Sequence, residues 1–530
     1  MGTKNFSNAN DLITFSRSSA GTALRKIAYG SELVTNGDFS TDSDWTKGSG
    51  WSISGGVAVS NNASGFTDIK QSVDVTPNKI YRLDFSVASY TSGAVVPYLG
   101  NNGSADATPY DQGNLTNSFR ATSAGEFYAF FVFDASQPGQ IVLRANSGFI
   151  GTIDNVSVKE VLFDDASGDL TLFNHPADVP RIEYDADGNV LGLLVEESRT
   201  NLVTYSEDFS NAAWNLGSTI LNLSAVASPS GSSSYQLTAT GSAAGHILDA
   251  IALTASASAT ASVFIKNNSS TRSALGLYSV SDSGWFGRVD FDWVDGTPVF
   301  NSTTNSVGSI DSYSFTEISD GWWRVSVTVT TNTNTSARIY IYPDRVSGAE
   351  SVYIYGAQVE QGSFPTSYIP TSGATATRSA DVASIPVSAF GYNQSEGTVV
   401  VGYQTATNVG TTRVVELVSD GSNRITVLNG APSEQLNTFI NVSGVTTANF
   451  NTANAATSGF NIGAVSFKED DIAMTLNGGT VISDTSSGVP YSDNINIGSS
   501  IAGGKLNGHV KSIRYYPRRL TNAQLQELTS

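Results

Sequence analysis

Ile80-Tyr-Arg-Leu-Asp-Phe-Ser-Val87 alternates between apolar and polar side chains. Successive residues of a strand point to opposite sides of a sheet, so this period of two reads as a half-buried β-strand. The same pattern returns in Ala261-Ser-Val-Phe-Ile-Lys266, Trp323-Arg-Val-Ser-Val-Thr-Val329, Ser351-Val-Tyr-Ile-Tyr355, Thr398-Val-Val-Val-Gly-Tyr403 and Asp471-Ile-Ala-Met-Thr-Leu-Asn-Gly-Gly479. Turn clusters such as Ser54-Gly-Gly56, Thr76-Pro-Asn78 and Ser136-Gln-Pro-Gly139 separate the runs at the short spacing of a sandwich. Fifty glycines, 21 tyrosines and 25 phenylalanines against two methionines suit short strands and polar turns rather than helices. The expected fold class is all-β. One helix is expected, at the C-terminus, where Thr521 and Gln524 form a capping box ahead of Leu525 and Leu528.

At about 150 residues per domain, 530 residues make three to four domains. The 28 basic and 47 acidic residues leave a net charge of −19, and only 14% of the chain is charged, which argues against nucleic-acid binding. Without cysteine there is neither a disulfide framework nor a thiolate metal site. No apolar run approaches the roughly 18 residues of a membrane span. Met1-Gly-Thr-Lys-Asn-Phe6 lacks the apolar core of a signal peptide, and Phe6 stands where a myristoylation signal needs Ser or Thr. Release from a cell is therefore expected to need another route, such as lysis.

Composition divides the chain into an N-terminal docking segment (1–31), a first sandwich (32–160), a connector hairpin (161–201), a second sandwich (202–371), a Ser/Thr/Ala-rich linker (372–384) and a third sandwich (385–530). Arg17, Arg25 and Lys26 give the docking segment a basic character within an acidic whole. The connector turns at Ala186-Asp-Gly-Asn189, a hairpin signal. The first two sandwiches look like remote copies: Gly37-Asp-Phe-Ser40 followed by Trp45 parallels Glu207-Asp-Phe-Ser210 followed by Trp214, which puts Trp45 in a core.

Three passages resemble a known kind of protein. Pro180-Arg-Ile-Glu-Tyr-Asp-Ala-Asp-Gly-Asn-Val-Leu-Gly-Leu-Leu-Val-Glu-Glu-Ser-Arg-Thr-Asn201, running on to Trp214, resembles a junction found in tailed-bacteriophage virion proteins of the tail-fibre, tail-spike or head-fibre kind. There it leads into a jelly roll similar to carbohydrate-binding modules, and Asp320-Gly-Trp-Trp-Arg-Val-Ser326 and Gly356-Ala-Gln-Val-Glu-Gln-Gly-Ser-Phe-Pro-Thr-Ser-Tyr-Ile-Pro370 are similar to that domain's later strands. Phe15-Ser-Arg-Ser-Ser-Ala20 resembles the start of the same segment, so the first sandwich, which opens on Asn36-Gly-Asp-Phe-Ser40, reads as an insertion. Leu506-Asn-Gly-His-Val-Lys-Ser-Ile-Arg-Tyr-Tyr-Pro-Arg-Arg-Leu-Thr-Asn-Ala-Gln-Leu525 resembles the closing strand and helix of laminin-G-like, concanavalin-type sandwiches. The resemblance implies a non-enzymatic virion surface protein that attaches to host glycans. Its partners would be other virion proteins and host polysaccharide, and a homotrimer is the favoured assembly. Two alternatives stand beside it, a purely structural capsid or tail decoration and a glycan depolymerase.

The residues themselves offer little catalytic chemistry. His175, His246 and His509 fall in three different regions, and the adjacent pairs Glu196-Glu197 and Asp470-Asp471 point to opposite faces on a strand, which reads as solvated carboxylate. Asp185-Ala-Asp-Gly-Asn189 carries part of a calcium loop but reads better as a turn. No cofactor is required. Asp42 and Asp44 are candidates for a structural Ca²⁺ of the kind that the resembled modules often hold.

Aromatic residues are the stronger lead, because a sugar's C–H face stacks on a ring while polar side chains pair with its hydroxyls. Alternation in Gly321–Val329 puts Trp323 on the core face and Trp322 and Arg324 on the other, so Trp322 is either a sugar platform or packs under a loop. Tyr340, Tyr342, Tyr353 and Tyr355 share the outer side of their strands, and if those strands pair they form a row, either a glycan groove or a seam against another subunit. In the first sandwich, Trp51, Tyr90 and Tyr98 fall near strand ends or turns.

Overall fold

Residues 13–61, 65–100, 109–111, 113, 115, 119–134, 136–241, 246–346, 348–406, 411–430, 434–457 and 459–530 are described by the structure, a computed structural model. Residues 1–12 of the expected docking segment thus lie outside the described residues. Nearly all regular structure is antiparallel strand, and the single α-helix among the described residues is Asn522–Thr529. No helix among them is long and apolar enough to cross a membrane. The chain forms two compact units, Arg25–Pro176 and the combination of Met1–Leu24 with Ala177–Ser530.

In Arg25–Pro176, two long strands, Ile80–Leu99 and Gln140–Phe163, pair from Tyr81↔Glu160 to Leu99↔Ile141, with register shifts that bend both. The shorter strands hang from them and close a core of Tyr81, Leu83, Phe85, Val87, Trp45, Trp51 and Phe149. At the bend, Gly93 has φ +81°, and a Cβ there would lie 2.3 Å from the Phe149 nitrogen, so only glycine lets the strands approach.

The second unit holds two sandwiches. In one, Trp214–Asn215, His246–Ala252, Ser336–Tyr342, Arg272–Ser279, Gly284–Val294 and Thr297–Thr304 make one six-stranded sheet. Thr219–Ala227, Ser233–Ala239, Ser351–Gln361, Ser258–Asn267, Trp322–Thr330 and Ser309–Glu317 make the other. Leu275, Leu277, Ile339 and Ile341 from the first sheet meet Val263, Ile265, Val325, Val327, Val352 and Ile354 from the second. The repeated motif does the same work in both places: the Trp45 indole donates to the Asn36 carbonyl at 3.0 Å and the Trp214 indole to that of Tyr205 at 2.9 Å. Phe39 and Phe209 lie 5.1 and 4.8 Å from those rings.

The C-terminal sandwich recruits strands that composition assigns elsewhere. Thr14–Ser16 pairs with Val382–Pro386 at the edge of one seven-stranded sheet. Ile182–Tyr184 and Val190–Val195 form the edge of the other, where Leu193 stands opposite Val510. The connector is therefore an edge hairpin of this sandwich from residue 182 to 195, and its turn carboxylate, Asp185, accepts the Asn189 backbone N–H at 2.8 Å. The helix caps the fold through Thr521 and Gln524 and buries Leu525 against Val400, Ala464 and Ala473.

A buried ionic cluster joins these segments, and it corrects three expectations. Arg17 Nη1 reaches Asp381 Oδ1 at 3.2 Å, and Arg181 Nη2 reaches Asp381 Oδ2 at 2.5 Å and Glu196 Oε2 at 2.9 Å. Arg378 lies 3.5 Å from Glu196, whose oxygens also accept Ser367 N and Oγ at 2.8 and 2.7 Å. Arg17 is thus sealed from solvent rather than offered to a partner, and Arg25 is likewise buried, against Asp164 at 2.9 Å. The 372–384 stretch is not a free linker: Ala376–Arg378 pairs with Arg199–Asn201, and Asp381 anchors the cluster. Glu196 is not solvated; burial raises its pKa, but Arg378, Arg181 and the Ser367 bonds outweigh burial and hold it well below the carboxylate range.

Candidate functional site

The outer face of the sheet built on Ser336–Tyr342 collects the aromatic side chains that the core does not use. Ile339 and Ile341 go inward, so Tyr340 and Tyr342 face out. The neighbouring strand Arg272–Ser279 sends Leu275 and Leu277 inward and sets Gly276 opposite Tyr340, with Tyr278 on the same outer side. A register shift at Leu277/Tyr278 brings Trp285 opposite Tyr278. The Trp285 ring lies 5.2 Å from both Tyr278 and Tyr340, and Tyr340 stacks on Tyr342 at 5.7 Å with 14° between planes. Gly276 makes this possible, because a Cβ there would sit 2.8 Å from the Trp285 ring and from Arg288. Tyr278, Trp285 and Tyr340 remain half-buried, which leaves ring area open to solvent, while Tyr342 is buried.

Charged groups edge this platform. Arg288 lies 5.1 Å from the Trp285 ring centre, within cation–π range, and Arg345 lies 4.7 Å from that of Tyr342. Arg288 donates Nε to Asp290 Oδ2 at 2.8 Å and Nη2 to Thr304 Oγ1 at 3.2 Å, while Arg345 Nε reaches Asp290 Oδ1 at 3.4 Å. Asp292 accepts Arg272 Nε at 2.5 Å and Asn301 Nδ2 at 2.8 Å, and the Arg272 bond is the main reason that its carboxyl sits below the usual range. Burial pushes the Tyr342 hydroxyl up to about 12, so this ring stays neutral at any working pH. Ring faces and arginine donors side by side can stack on a flat or C–H-rich ligand and bond its oxygens. Asp290 and Asp292 on this face are both held in ion pairs.

The four-tyrosine row does not form. Tyr340 and Tyr342 belong to one sheet, and Tyr353 and Tyr355 to the other. Asp344, which accepts the backbone N–H groups of Val346, Gly348, Ala349 and Glu350, holds the crossover between the two strands. Because Ile339, Ile341, Val352 and Ile354 all face the shared core from opposite sides, the tyrosines point to opposite outer faces.

On that second outer face the expected platform is covered. Trp322 is only 1% exposed and donates its indole N–H to the Ala227 carbonyl at 2.9 Å, so it packs under the chain. Arg324 donates to the Thr366 carbonyl at 2.6 Å and to Ser262 Oγ at 3.0 Å, tying the segment around Thr366 across the sheet. Tyr355 is buried beside Phe264 and Tyr368, with its hydroxyl donating to Glu207 at 2.6 Å. Tyr353 stays half-buried and bonds Asn268 at 3.3 Å. In the first sandwich, Trp51 and Tyr98 are buried, and Tyr90 packs on the core with its hydroxyl on the Gly93 carbonyl at 3.0 Å.

Asp42 pairs with Lys47, and Asp44 accepts Ser43 Oγ at 2.6 Å. Among the described residues no three His, Cys, Asp or Glu side chains cluster as metal ligands. Of the residues singled out from sequence, only Tyr340 and Tyr342 therefore lie on the platform. Tyr278, Trp285, Arg288 and Arg345 escaped notice, although the alternation Leu275-Gly276-Leu277-Tyr278 carries the same outward signal as the tyrosines that were found.

No family model matches the chain, and no curated protein matches it. Among solved structures it is similar to the CBM40 of the Ruminococcus gnavus IT-sialidase, at 13% identity over 26% of this chain and 84% of that one, with a TM-score of 0.23. It is also similar to the N-terminal CBM22-1-CBM22-2 tandem domain of Paenibacillus barcinonensis Xyn10C (10% identity, 63% and 98% covered, TM-score 0.19). A third is the LG4-5 pair of the mouse laminin alpha1 chain (11% identity, 64% and 94% covered, TM-score 0.19). Likeness at this level says nothing about a ligand of this chain.

Proposed function

We propose that this chain is a non-enzymatic bacteriophage virion surface protein whose second sandwich holds glycans of the host surface on the face formed by Tyr278, Trp285 and Tyr340. The observation that carries the glycan reading is that platform: three half-buried rings in mutual contact, edged by arginines. The virion setting rests on the resemblance of the 180–214 junction and of the 506–525 close to phage proteins and laminin-G-like sandwiches. Such a face binds single sugars weakly, and display in several copies on a particle multiplies modest affinities, which suits attachment. A binding role fits better than depolymerisation, because Asp290 and Asp292 on this face are committed to arginines.

The test is saturable binding of labelled full chain to an array of bacterial surface polysaccharides, with Trp285→Ala and Tyr340→Ala beside the wild type. Loss of binding in both variants, with unchanged melting, is the expected result. Binding that survives both would move the site elsewhere. Absence of binding by the folded wild type would favour structural decoration.

A further inference from the structure

The C-terminal sandwich presents an amide-rich face on the outer side of the sheet that holds Asn423–Gly430, Gln435–Val442 and Val445–Ala455. Leu436 and Ile440 enter its core, so alternation turns Asn437, Phe439 and Asn441 outward. Register sets Asn449 opposite Phe439 and Asn451 opposite Asn437 on one neighbouring strand, and Arg424 opposite Asn441 on the other. Phe439 is thus a ring among amides: at strand spacing, Asn437 and Asn441 stand about 7 Å from it along its own strand and Asn449 about 5 Å across. The Arg424 guanidinium lies 5.0 Å from the ring centre, and its Nη1 is 3.6 Å from the buried Glu416 carboxylate.

The amides are oriented in advance. Asn437 Nδ2 donates to Asn449 Oδ1 at 2.9 Å and to Asn451 Oδ1 at 2.7 Å, and Asn441 Oδ1 accepts Thr446 Oγ1 at 2.9 Å. Among the described residues the Nδ2 groups of Asn441, Asn449 and Asn451, and the Oδ1 of Asn437, meet no partner. Asn449 and Asn451 are exposed, and Asn437, Phe439 and Asn441 are half-buried. A sugar hydroxyl both donates and accepts, and these amides offer both functions from fixed positions, which lowers the cost of ordering them on binding. The C–H side of the same sugar lies on the ring. A protein partner would call for a contiguous apolar centre, whereas this face sets one partly open ring among amides. We infer that this face is a second glycan site of the chain, independent of the Tyr278, Trp285 and Tyr340 face, with a sugar ring on Phe439 and its hydroxyls on Asn437, Asn441, Asn449 and Asn451.

The test puts the labelled full chain on the array of bacterial surface polysaccharides, as wild type, as the double variant Asn449→Ala/Asn451→Ala, and as Asn441→Ala on the other side of the ring. Asn449 and Asn451 are exposed, so the double variant is expected to melt as the wild type does. Both variants are expected to bind the same glycans about tenfold or more weakly, the scale of one or two lost hydrogen bonds. Binding unchanged in both, but lost in Trp285→Ala, would overturn the inference and leave the first glycan face standing. Binding lost in both and kept in Trp285→Ala would support the inference while overturning the reading of the first face. A change in sedimentation without any loss of glycan binding would overturn it in favour of a contact between copies, and no binding by the wild type would overturn both sites.

Discussion

Replacing Asp381 by Asn probes the ionic cluster that ties five stretches of chain together. Arg17, Arg181, Arg378 and Asp381 have side chains with 0% exposure, and Glu196 has 7%. Three positive charges face two negative ones. Asp381→Asn leaves three against one, removes an acceptor oxygen from Arg17 or Arg181, and turns an amide N–H toward a guanidinium. Breaking a buried pair by removing one partner costs about 3–5 kcal/mol, because the remaining charge stays buried without compensation. We expect a loss of that size in urea unfolding followed by tryptophan fluorescence. Removing Arg17 as well, in an Arg17→Met/Asp381→Asn double variant, restores the original excess of one charge and is expected to recover part of the loss, a coupling that a double-mutant cycle measures. A single-variant loss below about 1 kcal/mol, or strict additivity in the cycle, would refute the reasoning, since pairs at exposed sites are worth no more than that.

Three further outcomes follow from the same structure. Glu196 is held below its ordinary value of 4.5, so its stabilisation is complete above about pH 4.5 and is lost as the pH falls toward its folded value; the acid limb of stability against pH is expected to flatten in Glu196→Gln. Trp322→Ala removes a fully enclosed ring and its bond to Ala227, and is expected to cost about 3–5 kcal/mol in the same unfolding assay. Thr521→Ala removes the helix cap and is expected to cost about 1 kcal/mol, read as earlier hydrogen exchange of the terminal helix.

The Trp322 and Tyr353 readings show where alternation stops being informative. Alternation sorts residues into two faces; it does not say whether the outer face meets water or another layer of chain. In the sheet containing Trp322, Ser326 and Thr328 are as buried as the valines between them. The cover comes from distant chain: the Ala227 carbonyl accepts the Trp322 indole across 95 residues, and Arg324 holds the Thr366 carbonyl across 42. On the other sheet Tyr340 stays half-buried among the described residues, and there the outward reading holds. Arg17 and Arg378 differ from the compositional reading for a related reason: each finds a distant partner, and composition averages single charged residues away.

Sequence alone determined the all-β class, the alternation of each strand, the repeated Phe/Trp motif with its core tryptophans, and the capped terminal helix. Each is set by residues within a few positions of one another, through side-chain periodicity or a local hydrogen bond. Only the tertiary structure decided which strands pair, that Tyr340 and Tyr353 face opposite ways, and that the strands at Thr14–Ser16 and Val190–Val195 complete a sandwich whose other strands lie far along the chain. It also decided which aromatic side chains stay partly open to solvent. Those features depend on which distant segments bury which surface, a competition that local pattern does not encode.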